Sequence, residues 1–387
     1  MKSNFLRCKN CLMVNTRPEQ TLNDKQICNA CENLEKKTII VWKSRLTELK
    51  KIFENTKKNK TGKWDCVVPC SGGKDSTYQA FKVRELGLNP LVVIASTCDL
   101  TEIGKHNIDN LKSNFDVIEV TPNKLIRKKL NKLSLEIVGD ISWPEHVSIY
   151  TQPIQIAADY NIKLLIYGEN PQFEFGGPSR ENSNLLDRAW LEEFGGLLGL
   201  RVSDLIDNYG YDEDSLAPYI YPDKNLINSK KIQKIFLGYY LNWDNEKNYL
   251  YAKTKGFIEY EKNIEGGAVS YEKLDNYQHG IHDYFKFLKY GFSRATDQVS
   301  YQLRGKKMSM NEGKNIILEN DGNYPHEYLG KKLENILDDI DMTIEEFDLI
   351  ADKFTNKKLF QVDDNNLLKR DYKKKLILKD YALDFNL

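Results

Sequence analysis

The stretch "VVPCSGGKDSTYQAF" (67–81) decides how the chain is read. Two valines and a proline run into Cys70, Ser71, Gly72 and Gly73, and then Lys74-Asp75-Ser76 opens a helical pattern. Paired glycines accept left-handed backbone and let the main chain come close to a ligand. The first amides of the helix behind them have no partner within the helix, and its dipole adds partial positive charge. Ser71 and Ser76 add hydroxyl donors and Lys74 a full charge. A strand–turn–helix of this make is a pocket for a multiply charged phosphate. It matches neither the G-x-x-x-x-G-K-[ST] loop nor the G-x-G-x-x-G dinucleotide pattern.

Outward from this turn, nearly unbroken apolar runs predict strands at 65–69, 91–96, 116–120, 163–167 and 234–240. Helical stretches at 75–86, 104–114, 123–138 and 146–160 lie between the first four. Repeated βα units of this length predict an α/β fold with a doubly wound parallel sheet. The fifth strand follows a long excursion, about 170–232, which reads as an insertion over the active-site edge. The predicted units are 1–36, an α/β domain over 37–262, and a helical C-terminal domain over 263–387. In that last unit Thr343 and Glu346 have capping-box spacing. The aromatic-rich 242–257 reads as a helix on the sheet.

At the N-terminus, "CKNCLMVNTRPEQTLNDKQICNAC" (8–31) holds two C-x-x-C pairs, Cys8/Cys11 and Cys28/Cys31. Four thiolates in two knuckles make a closed tetrahedral site, which predicts a small zinc ribbon with a structural Zn2+. The piece is too short to fold without its ion. His279 and His282 show only two ligands between them and read as surface or core residues; His106, His146 and His326 carry no assignment.

Lys+Arg and Asp+Glu number 56 each, so the formal net charge is zero. A dedicated nucleic-acid binder carries a basic surplus, and the balance argues against one. The basic stretch 36–63 reads as a solvated helix and loop. No apolar run approaches a membrane span and no signal-peptide core is present, so the expectation is a cytoplasmic protein with reduced cysteines.

Ser71-Gly72-Gly73-Lys74-Asp75-Ser76 resembles the pyrophosphate loop, S-G-G-x-D-S, of the ATP pyrophosphatase (PP-loop) superfamily, with its adenine nucleotide alpha hydrolase-like fold. The resemblance implies that the loop holds the β- and γ-phosphates of ATP and that Asp75 helps hold Mg2+. Lys74 stands at the superfamily's variable position. At the carboxyl edge of such a sheet, 94–111 should border the adenosine, with Ala95 and Thr97 nearest. "YGENPQFEFGG" (167–177) brings Gly168 for close approach and Glu169 as a metal or substrate contact, with Asn170 beside it. Lys74, Asp75 and Glu169 form the expected catalytic set.

Three further blocks, the cysteine quartet, "WLEEFGGLLGLRVSDL" (190–205) and "FLKYGFSRATDQVSYQLRGKKMS" (287–309), together with "YGEN", resemble the N-acetyl sugar amidotransferases of bacterial surface-glycan synthesis. That family implies an enzyme that turns an acetamido group of a nucleotide sugar or nonulosonic acid into an acetamidino group. AMP is placed on the amide oxygen and ammonia displaces it. Arg294 and Asp297 are then candidate substrate contacts, Arg294 for a sugar carboxylate or nucleotide phosphate, with an internal Arg–Asp pair as the alternative. No glutaminase is evident, so ammonia is expected from a separate glutaminase, with a channelling subunit as a further partner. The rival is a tRNA sulfurtransferase with Cys70 or Cys98 as sulfur carrier; an ATP-binding regulatory module is the non-catalytic reading.

Overall fold

A computed structural model describes residues 5–18, 20–97, 99–170, 174, 197–383 and 385. Strands β1 (Cys66–Cys70), β2 (Pro90–Ala95), β3 (Asp116–Val120), β4 (Leu164–Tyr167) and β5 (Gln233–Phe236) form one parallel sheet in the order β3-β2-β1-β4-β5. These are the predicted strands, except that 237–240 turns into a short helix, Leu237–Tyr240, instead of continuing β5. Val67 and Leu165 face one layer of core, Val68 and Ile166 the other, which is why the runs read as continuously apolar.

After helices α1 (Asn29–Thr38) and α2 (Trp42–Lys58), the crossovers are helices α3 (Lys74–Glu85), α4 (Glu102–Asn114), α5 (Lys124–Val138) and α6 (Trp143–Asp159). Each boundary has a local cause. The Thr101 hydroxyl caps α4 by accepting from Gly104 N (2.8 Å), and Asn123 caps α5 through Leu125 N (2.9 Å). Gly139 closes α5 at φ +64°. Pro69, which has no N–H to give, sits where the pairing of β1 with β4 has already ended at Val67–Leu165. The chain order reverses between β1 and β4, so ligands belong above their carboxyl ends.

Residues 197–232 of the insertion do not cover that edge. Their helices, including Val202–Tyr209, bury Leu200, Leu205 and Tyr219 against Leu130 of α5 and Trp143 of α6. The Trp143 indole donates to Leu200 O (3.1 Å), and Arg127 spans Tyr219 (2.8 Å) and Glu145 (2.8 Å). The block 190–196 and the Gly176-Gly177 pair lie outside the described residues. Helix Asn245–Thr254 packs on α3, where Tyr251 meets Tyr78 edge-on at 5.3 Å between centroids, instead of on the sheet itself.

The C-terminal region is helical through His279–Tyr290, Arg294–Arg304, Met310–Asn320 and Ile344–Phe354. The Thr343–Glu346 capping box forms as its spacing predicts. Over 355–379 the helical expectation fails: Phe360–Leu378, Val362–Leu368 and Arg370–Leu376 pair as antiparallel bridges, before a last short helix at Asp380–Leu383. The cysteine knuckles share one core with this region, Cys8, Leu12 and Cys28 being buried in the same cluster as Phe292, Leu359 and Phe360. No helix among the described residues is long and apolar enough to cross a membrane.

Candidate active site and metal centre

The turn after β1 orders itself and leaves the start of the following helix uncapped for a ligand. Gly72 has φ +84°, and a Cβ there would lie 3.0 Å from the Ile108 side chain and 3.3 Å from the Ile108 amide. Glycine is therefore required by both conformation and space. Ser71 N donates to Ser76 Oγ (3.3 Å), Ser76 Oγ donates to Gly73 O (3.0 Å) and Gly73 N to Ser71 Oγ (3.4 Å), which fixes the loop internally. No side chain caps α3, whose N-cap is Gly73, so its leading amides face outward.

Above this turn lies a cavity of about 440 Å3. Its floor is Ser71, Gly73, Lys74, Asp75, Ser76 and Ala95. One side is apolar, with Ile149, Tyr150, Pro153, Tyr167 and Phe236, and Gly168 and Glu169 enter from the end of β4. The opposite wall comes from far along the chain: Tyr271 through Asn276, His279 and Arg294. This wall is laid over the strand ends by backbone pairing, Thr101 N to Asp275 O (3.2 Å) and Tyr277 N to Asp99 O (3.1 Å). Thr97 is part of that seam, accepting from Asn276 Nδ2 (2.6 Å). Of the stretch 94–111, Ala95 lines the cavity.

The polar centre is one ammonium among carboxylates. Lys74 is buried and ion-paired with Asp75 and, at 3.5 Å, with Glu272. Although burial acts to lower it, these carboxylates hold Lys74 above the usual lysine range. Asn248 donates to the other oxygen of Asp75 (3.1 Å). Burial and the neighbouring Asp75 carboxylate push Glu169 up to about 8, against the pull of Lys74. Burial raises Glu272 too, yet Lys74 and Arg294 bring it below its ordinary value. Hard oxygen donors beside a phosphate-sized turn suit Mg2+, and a divalent ion would relieve the repulsion recorded at Glu169.

A raised carboxyl pKa binds its proton more tightly in the folded state. The ligand-free protein therefore loses stability as pH climbs from the ordinary glutamate value of 4.5 to about 8. Glu169→Gln should melt roughly 3 °C above wild type at about pH 8.5 and alongside it at about pH 5. Parallel melting curves at both pH values would contradict this.

Other predicted residues have mixed placements. Gly168 lines the cavity, but its lack of a side chain also serves packing: a Cβ would lie 2.8 Å from Gln79 Oε1 and 3.0 Å from the Trp243 ring. Asn170 follows Glu169, and its carbonyl accepts from Glu174 N (3.1 Å). Arg294 lines the cavity while its guanidinium clasps Asp283 (3.2 and 3.3 Å) and approaches Asp297 (3.7 Å). Asp297 is buried under Arg17 (2.6 Å) and Lys286; against the effect of burial these cations hold it to about 2. Asp297 is thus a brace for the wall that Arg294 shares.

Cys70 lines the cavity, but burial pushes its thiol well above the usual range, leaving it protonated and a poor sulfur carrier. Cys98 lies outside the described residues. Sequence reasoning missed Glu272, Lys273, Asp275 and Asn276. Their one local signal is a polar run, "YEKLDNYQH" (271–279), set in an irregular segment just ahead of a helix. The histidines also differ from expectation. His279 bonds Asp275 (3.0 Å) on the cavity wall, whereas His146 and His282 converge on Asp140.

Cys8, Cys11, Cys28 and Cys31 bring their sulfurs within 4.8 Å of one another. Cys8–Cys31 and Cys11–Cys28 are separated by 3.8 and 3.5 Å. A tetrahedral zinc with Zn–S bonds of about 2.3 Å needs S–S edges of about 3.8 Å, so the four buried sulfurs fit that ion. Cys28 N donates to Cys8 Sγ (3.2 Å) and Arg304 reaches Cys11 Sγ (3.6 Å), both favouring thiolates.

Residues 260–375 match a family model described as the C-terminal domain of WbpG-like LPS biosynthesis proteins. The matched stretch contains the whole distal wall of the cavity, from Tyr271 to Arg294. The match supports a WbpG-like, sugar-modifying enzyme with a role in bacterial glycan biosynthesis. No curated protein matches the chain.

Proposed function

We propose that the protein is an ATP-dependent amidotransferase that converts the acetamido group of a sugar into an acetamidino group during lipopolysaccharide assembly. The observation that carries this reading is one cavity with two unlike walls. A bare helix start with a Ser-Gly-Gly turn faces a wall drawn from the stretch that matches a lipopolysaccharide-synthesis family.

In this reading ATP enters as a substrate, with its adenine along Tyr150, Tyr167 and Phe236 and its terminal phosphates in the turn of Ser71, Gly72, Gly73 and Ser76. Asp75 and Glu169 would hold Mg2+, which would neutralise charge on the triphosphate. The amide oxygen of the sugar attacks the α-phosphorus, the bond to the β-phosphate breaks, and pyrophosphate leaves. The product is an O-adenylyl imidate, whose carbon accepts ammonia. The tetrahedral adduct then expels AMP and the amidine remains. The outward amides of α3, with Lys74 freed from Asp75, stabilise the departing pyrophosphate. Arg294 and Lys273 on the distal wall face the sugar's anionic group. Ammonia is assigned to a separate glutaminase, delivered through a channelling subunit.

The test incubates the protein with ATP, Mg2+, ammonium and a panel of acetamido sugars. The expected result is AMP and pyrophosphate in equal amounts, together with a sugar in which one oxygen is replaced by NH, read by mass spectrometry. Release of ADP and phosphate, or AMP formation indifferent to every sugar, would overturn the proposal.

A further inference from the structure

Two stretches that the chain keeps apart bring three side chains together at the edge of the cavity. Asp140 lies in the turn between α5 and α6, His146 lies on the first turn of α6, and His282 is on helix His279–Tyr290 of the C-terminal region. Their donor atoms all fall within 4.8 Å of one another. His282 Nδ1 is 2.7 Å from Asp140 Oδ1, and His146 Nδ1 is 3.6 Å from Asp140 Oδ2. The two imidazoles stand edge to face, 5.3 Å between centroids. Asp140 is buried, and His146 lines the cavity beside Ser142 and Glu145.

We propose that Asp140, His146 and His282 form a second metal site, distinct from the cysteine quartet, for a divalent first-row transition ion such as zinc. Two imidazoles and one carboxylate are the donor set of such ions, whereas Mg2+ prefers oxygen alone. An ion about 2.1 Å from each donor holds the donors about 3.0–3.5 Å apart. The closer pair must open and the wider pair close by a few tenths of an ångström, within the reach of side-chain torsions. Ser142 N donates to Asp140 Oδ1 (2.9 Å) and fixes the carboxylate from behind.

Nearby charges of both signs act on the site. Lys289 and Lys273 oppose a cation, but the Lys289 ammonium is turned toward the carbonyls of Val138 (3.4 Å) and Gly139 (3.0 Å). The carboxylate of Asp283 lies on the His282 side and offsets them. With three protein ligands the ion keeps open positions, and His146 places it at the cavity boundary, where water or a substrate oxygen can complete the shell. The ion would also tie the α/β sheet to the region that matches the sugar-modifying family.

The test is a metal count, independent of any reaction. Purified full-length protein, saturated with Zn2+ and desalted, should hold about two ions per chain, one of them on thiolates. Asp140→Asn and His282→Gln should each lower the count to about one. In Co2+-loaded protein the intense thiolate charge-transfer band should stay while the weaker nitrogen–oxygen band disappears. If either variant fails to fold, His146→Gln on the cavity wall carries the same comparison. About one ion in saturated wild type, or a second ion retained in all three variants, would overturn the site and leave the trio a hydrogen-bonded strut.

Discussion

Asp75→Asn is expected to lower turnover by about 10^2–10^3 while leaving the protein folded. Asp75 is on the first turn of α3, paired with Lys74 and Asn248 and close enough to Glu169 to raise it. Removing its charge takes away one proposed ligand for Mg2+, and Lys74 keeps Glu272 at 3.5 Å as a counter-ion. The fold loses little, because repulsion with Glu169 falls at the same time. Pyrophosphate release should collapse in the variant, and adding Ser71→Ala should deepen the loss by removing the hydroxyl that orders Gly73. A double variant that turned over normally would remove the nucleotide from this turn altogether.

Removing the cysteine-bound metal should cost more stability than any single substitution in the cavity. A structural zinc contributes on the order of 10 kcal/mol to folding in isolated ribbons. Here the knuckles are also part of the largest core. Phe5 and Leu359 both pack on Gly291, Arg17 pairs with Asp297, and Arg304 reaches Cys11. Losing the ion leaves four crowded, buried sulfurs without the charge that held them together, inside a core shared with Phe292 and Phe360. Cys11→Ser, or exhaustive chelation, should lower the melting temperature by roughly 10 °C or more and expose the C-terminal region to proteolysis. Calorimetry with metal analysis checks this. Unchanged melting after verified metal loss would make the quartet a plain buried cluster.

Both of these sites are legible in the sequence. The cysteine quartet and the Ser-Gly-Gly turn are local: one short turn, and two C-x-x-C pairs within residues 8–31, supply all the donors, so spacing alone exposes them. The five strands were equally legible, because burial on both faces leaves an unbroken apolar run. The continuation of the fifth strand through 237–240 was misread for the same reason, since an apolar run by itself does not separate a buried strand from a buried helical turn. The bridged segment past 355 was missed because its short polar turns carry no periodicity.

Residue chemistry and local backbone preference determined the sheet, the phosphate-sized turn and the thiol cluster before any long-range contact is considered. Tertiary structure alone decided that Glu272, Lys273 and Asn276 close the cavity, that Arg294 is shared between that wall and Asp283, and that Asp140 gathers two histidines. The closing of the cavity and the meeting of His282 with Asp140 join residues a hundred or more positions apart, through backbone pairing of 99–101 with 275–277 and helix packing around Asp140. No periodicity or spacing encodes such meetings, because what brings them about is the burial of a common core.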